Sequence, residues 1–173
     1  MRRAAMIAVL LLVAVSAASA KAQDAFFVNE ETYHLMKACD KYNVPYQIAW
    51  AIAKIESNWE WKISTPNSDG SYDIGYFELN SYYIADFVDK YWDEPYAFDV
   101  ESRRDNIYLA VSHMRALQDR LDDWDAMVRA YHSGLTAYRR NSHTAEVYYK
   151  NFRQAIAIYI RRLESSSVIV MAQ

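Results

Sequence analysis

The stretch Pro45-Tyr46-Gln47-Ile48-Ala49-Trp50-Ala51-Ile52-Ala53-Lys54-Ile55-Glu56-Ser57-Asn58-Trp59 decides how the chain is read. Ile48, Ile52, Ile55 and Trp59 recur at spacings of four, three and four, the apolar stripe of an amphipathic helix. Pro45 suits the first helical position, where a missing N–H costs nothing, so a helix is expected from Pro45 to Glu56 or Ser57. Glu56 stands four residues after Ile52 and continues the stripe toward the core side, whereas Gln47 and Lys54 fall elsewhere on the wheel. A carboxylate there is costly unless protonated, paired or hydrogen-bonded, and partial burial raises its pKa. A general acid needs that condition. A Glu that caps the helix end or pairs with an Arg would give the same pattern, so on pattern alone both readings stand.

The rest of the composition agrees with a helical domain. A length of 173 residues suits one domain. Apolar residues at 53% and charged residues at 24% exclude disorder and low complexity. Only three Gly occur where average usage of about 7% would give roughly a dozen, which argues against a turn-rich sandwich or barrel. Apolar periodicity and end signals give five or six helices. Besides the one above, these run from Glu30 to Tyr42 with Asn29 as N-cap, Ser81 to Lys90, Asp99 to Leu121, Asp122 or Asp123 to His132 with Gly134 as a left-handed stop, and Thr144 to Leu163, capped near Asn141 or Ser142. Between Asn58 and Ile74 the run Thr65-Pro66-Asn67-Ser68-Asp69-Gly70-Ser71 is dense in turn formers, so a long loop or small hairpin is expected there. Such a loop inside a compact domain is often functional.

At the N-terminus, Arg2 and Arg3 precede the apolar run Ala4 to Val15 and then Ala18-Ser19-Ala20, the pattern of a secretory signal. Residues 1–20 are therefore expected to be removed on export, to the periplasm or beyond, leaving an extension at 21–29, a domain at 30–164 and a frayed tail at 165–173. Cleavage after Ala20 leaves 17 basic and 22 acidic side chains. That balance points away from nucleic acid as a partner. No integral membrane anchor is expected, because the Val168–Met171 run is too short to span a bilayer. Cys39 has no partner for a disulfide and reads as a small buried residue. His34, His113 and His143 lack ligand spacing, and neither a metal nor another cofactor is expected.

Glu56-Ser57-Asn58-Trp59 is followed by Asp69-Gly70-Ser71-Tyr72-Asp73-Ile74-Gly75-Tyr76-Phe77-Glu78-Leu79-Asn80-Ser81, then by Ala130-Tyr131-His132-Ser133-Gly134, and then by Tyr148 with Phe152 four residues on. In this order the segments resemble the lytic transglycosylase domain of the lysozyme-like superfamily over about residues 30 to 160. The resemblance implies a mainly α, lysozyme-like (α+β) fold with its small loop or hairpin beside a catalytic cleft. It also implies Glu56 as the catalytic acid, and substrate contacts from Ser57, Gly75, Tyr76, Phe77, Glu78, Asn80, Tyr131, His132 and Tyr148. This sequence has Tyr76-Phe77-Glu78 where the family has Leu-Met-Gln, and His132 where it has Asn. Glu78 reads either as a solvated rim charge or as a second carboxylate that raises the Glu56 pKa. His132 reads as a helix-end residue satisfied by carbonyls or as a sugar contact. Asp73, seventeen residues after Glu56, is also similar in placement to the partner carboxylate of c-type lysozyme, where an acid Glu works with an Asp. A turn-stabilising Asx role is its plain alternative.

The implied substrate is peptidoglycan, and the implied reaction is cleavage of the β-1,4 bond between N-acetylmuramic acid and N-acetylglucosamine with a 1,6-anhydro product. Glu56 would serve as acid and then base. A muramidase that hydrolyses the same bond with Asp73, and a peptidoglycan-binding protein that lost activity, are the competing readings. A cell-envelope or secretion-system assembly partner fits either kind of enzyme. Trp59, Trp61, Tyr72, Tyr76, Phe77 and Tyr131 are the expected sugar-stacking rings, while Tyr108 and Tyr159 read as helix-packing residues.

Overall fold

The computed structural model describes residues 29–171 apart from positions 65 and 141, with side chains as far as residue 164. The expected leader at 1–20 and almost all of the extension at 21–29 lie outside these residues. Six helices and one two-stranded sheet are seen among them: α1 (Glu30–Tyr42), α2 (Tyr46–Ser57), β1 (Asp73–Ile74), β2 (Leu79–Asn80), α3 (Ser81–Tyr91), α4 (Arg103–Leu121), α5 (Trp124–Arg139) and α6 (His143–Met171). The fold is mainly helical and matches the lysozyme-like α+β architecture.

Local chemistry sets most boundaries. Asn29 accepts from the Thr32 N–H at 2.9 Å and so caps α1, with Glu30 and Glu31 in the first turn where the helix dipole favours them. Pro45 is the residue before α2 rather than its first member. Ser102 caps α4 by accepting from the Asp105 N–H, so that helix begins four residues after the expected Asp99. Asp99 instead belongs to a loop whose N–H bonds Asp105 Oδ2 at 3.1 Å. Asp123 caps α5 through the Asp125 and Ala126 N–H groups.

Two expectations need correction. Gly134 does not stop a helix in the left-handed region. Its φ of 75° comes with an extended ψ of 157°, which kinks α5, and helical residues resume as far as Arg139. The last helix also continues past Leu163 to Met171, so residues 165–171 are helical backbone rather than a frayed tail.

The helix α4 runs through the middle of the core. Its residues from Asp105 to Ser112 are all buried, as are Met114 and Leu117, so it is enclosed on every side. It packs against α1, α3 and α5, while α6 covers α2 and α5. On α2 the buried run is Ala49 to Ala53, with Ile48 and Ile55 half-buried at its edges. Tyr108 and Tyr159 are buried as expected. Cys39 is buried too, and burial pushes its thiol far up, which leaves it inert.

Candidate active site

Glu56 is placed by the way α2 ends. Asn58 adopts a left-handed conformation (φ 56°) and its N–H bonds the Lys54 carbonyl at 3.1 Å, closing the last turn one residue after Ser57. Trp59 follows at φ 64°, so the chain turns sharply and leaves Glu56 in the final turn. Beyond this turn the chain reaches Ile63, which forms an antiparallel bridge with Ile74. β1 and β2 pair antiparallel, Asp73 with Asn80 and Ile74 with Leu79. The loop or hairpin expected at 58–74 is a loop closed by the Ile63–Ile74 bridge, and the two-stranded hairpin follows it, with its tip at Gly75–Glu78.

The hairpin is pinned to both neighbouring helices. Ser57 Oγ donates to the Tyr76 carbonyl at 2.9 Å. Asn106, buried on α4, donates through Nδ2 to the Ile74 carbonyl at 2.9 Å. Gly75 sits at φ 79°, and a Cβ there would come within 2.5 Å of the Asn106 side-chain amide. This is a close approach that only glycine permits. Substitution at Gly75 should therefore tax folding as well as activity.

Around Glu56 the structure gathers Tyr148 from α6, Tyr131 and His132 from α5, and Asp73, Glu78 and Lys62 from the hairpin region. The Tyr148 hydroxyl donates to Glu56 Oε1 at 2.6 Å. The His132 ring lies flat on the Tyr148 ring, centroids 4.4 Å apart and planes 6° apart. The Tyr131 hydroxyl donates to the Phe77 carbonyl at 3.1 Å, tying α5 to the hairpin tip. Lys62 pairs with Glu78 at 2.9 Å. Asp73 accepts from the side-chain amides of Asn67 at 3.1 Å and Asn80 at 3.0 Å.

Burial pushes the Glu56 carboxyl up to about 7. The Tyr148 hydrogen bond opposes the rise, the Glu78 and Asp73 carboxylates add to it, and the Lys62 cation works against it. Near neutrality, then, a large fraction of Glu56 carries a proton, the state a general acid requires. Burial likewise holds the Tyr148 and Tyr131 phenols well above their ordinary range, so both stay neutral donors. Burial pulls His132 down while the Glu78 carboxylate pulls it up, with the net shift downward.

The sequence-derived residues divide into groups. Glu56, Asp73, Glu78, Tyr131, His132 and Tyr148 come together. Ser57 lies beside them, but its hydroxyl is committed to the Tyr76 and Ala53 carbonyls. Asn80 serves as the N-cap of α3 and as a donor to Asp73 and Ser71. Tyr76 and Phe77 are 2% and 1% exposed, so neither ring has a face to offer a sugar. The Tyr76 hydroxyl instead donates to Glu31 on α1 at 2.9 Å. The expected aromatic groove is accordingly split. Trp59, Trp61 and Tyr76 line a cavity of about 930 Å³ whose lining does not include Glu56, and Tyr72 is exposed on the hairpin. Among the described residues no group of three or more His, Cys, Asp or Glu is arranged to hold a metal ion. No described helix is long and apolar enough to cross a membrane.

Sequence reasoning missed Lys62, Asn67 and Asn106. The first had a signal: Trp59, Trp61 and Ile63 alternate with Glu60 and Lys62 at the strand period. Asn67 stands in the turn-former run and bonds Ser71 and Asp73, four and six residues on, whereas Asn106 acts on the Ile74 carbonyl 32 residues away and carried no signal.

A mainly helical domain with a two-stranded hairpin packed against the helix that ends in half-buried Glu56 belongs to the lysozyme-like fold class. Residues 34–153 match the family model described as the transglycosylase SLT domain, and the chain belongs to that family. The matched span holds every residue of the Glu56 cluster. The family is one of lytic transglycosylase-type lyases that act on peptidoglycan. A search of curated proteins finds no match to the chain.

Proposed function

We propose that this chain is an exported peptidoglycan lytic transglycosylase that cuts the β-1,4 bond between N-acetylmuramic acid and N-acetylglucosamine, with Glu56 as acid and then base. One observation carries the reading: the carboxyl at the end of α2 is half-buried, lifted to about 7, and oriented by a 2.6 Å hydrogen bond from Tyr148. Protonated Glu56 gives its proton to the bridging oxygen as the C1–O bond breaks. The acetamido oxygen of the muramic residue supports C1 meanwhile. The 6-hydroxyl of that sugar then closes on C1 and returns its proton to Glu56, so no water enters and the enzyme ends as it began. Only one carboxylate is required.

Of the candidate contacts, Glu78, Tyr131 and His132 supply the surface nearest Glu56. Tyr148 acts through the acid it holds. The leader pattern at residues 1–20 supports a periplasmic site of action. Mass analysis of muropeptides released from purified sacculi tests the reading. Products one water lighter than hydrolysed ends are expected, and no release at all would refute it.

A second reading has its own support. The Asp73 carboxylate is fixed by two amides, and its charge is felt at Glu56, which is the placement a partner carboxylate needs in a muramidase. Ordinary reducing ends in the same digest would establish it in place of the first.

A further inference from the structure

We propose that Lys62 is a positioning residue of this site: its ammonium fixes the Glu78 carboxylate on the wall beside Glu56, and the two side chains act there as one neutral unit. The inference rests on the reading of Glu56 as the acid.

The backbone builds the pair from two sides. The Lys62 carbonyl accepts the Gly75 N–H at 2.8 Å, which locks residue 62 against the start of the hairpin tip. At the other end of that tip Glu78 takes a left-handed φ of 47° and bonds back to the Gly75 carbonyl. The two side chains meet at 2.9 Å, with Lys62 about half exposed and Glu78 a quarter exposed.

Position gives the pair its importance. The Glu78 charge reaches Glu56, Tyr131, His132 and Tyr148, which are the groups that line the acid from α2, α5 and α6. Asp73 is a further charge facing Glu56 among the described residues, and its two amide donors hold it in place. An unpaired Glu78 would add a second bare carboxylate to that wall, and an unpaired Lys62 would leave a bare cation. Paired, each offsets part of the other's charge at Glu56, with Glu78 weighing more than Lys62, while keeping a charged, hydrogen-bonding edge on the cleft.

The test uses opposite signs. Titrate the Glu56 carboxyl by 13C NMR in selectively labelled protein, assigning the signal by its loss in Glu56→Gln, and record turnover against pH in parallel. Lys62→Met removes the attraction and uncovers Glu78, so the Glu56 midpoint should rise by on the order of one pH unit. Glu78→Gln leaves the cation alone, and the midpoint should fall by at least as much. The double variant should fall between the two singles, and Lys62→Arg should stay at the parent value throughout. Equal-signed shifts, no shift in either single variant, or a double variant as displaced as the singles would overturn the proposal. Because the NMR midpoint needs no turnover, midpoints that move as stated while the turnover limb stays put would uphold the pair and sink Glu56 as the acid.

Discussion

Glu56→Gln should make the folded protein more stable at pH 8 while leaving it unchanged at pH 4.5. A carboxyl lifted by burial from 4.5 to about 7 keeps its proton in the folded chain across a range where the unfolded chain has lost it. Stability from such a group is fully present below 4.5 and is lost as pH rises through about 7, because only the folded state binds the extra proton. At about 1.4 kcal/mol per pH unit the whole interval is worth about 3 kcal/mol. Water reaching a half-buried group trims this, so the difference expected above pH 7.5 is about 1–3 kcal/mol.

Gln is nearly isosteric with protonated Glu and still accepts the Tyr148 hydroxyl, so at pH 4.5 the two proteins should melt together. At pH 8 the variant should melt roughly 3–10 °C higher. His113, which burial holds down to about 4, titrates alike in both proteins and drops out of the comparison. Urea denaturation at the two pH values, with turnover recorded alongside, makes the measurement. A Gln variant that gains the same stability at both pH values, or loses stability at pH 8, would refute the argument that the acid is desolvated.

Two further outcomes follow from the same geometry. Tyr148→Phe deletes a hydrogen bond that favours the ionised acid, so the alkaline limb of the pH–rate profile should move up by roughly half to one unit; a limb that falls would contradict the assignment. Gly75→Ala places a Cβ within 2.5 Å of the buried Asn106 amide at φ 79°. Left-handed strain of about 1–2 kcal/mol and overpacking of about 1–3 kcal/mol should together destabilise it by about 2–5 kcal/mol in a urea melt, and wild-type stability would remove the need for glycine there.

The helices were legible because their signals are local. Asn29, Asp123 and the stripe on α2 act within one or two turns of themselves, and their helices begin within a residue or two of expectation. Gly134 misled because positive φ is common to a helix stop and to a kink, and only ψ separates them. Each strand is two residues long, too short for alternation to register. Glu56 could be read from its place on the stripe. The fates of Tyr76 and Phe77 could not, since the same aromatic residues serve a sugar platform or a core, and the choice turns on contacts with Glu31, Trp59 and Trp61. Lys62 and Glu78 meet only because the hairpin folds one onto the other.

The hydrogen bond between Tyr148 and Glu56 joins residues 92 apart, one near the start of the domain and the other near its end. An order of assembly follows from that separation. A chain interrupted between β2 and α6 contains Glu56 and the whole hairpin, yet lacks the phenol that orients the carboxyl and the helix that covers α2 and α5. The hydrogen-bonded setting of Glu56 is therefore complete only once α6 has been made, well after the hairpin that faces it.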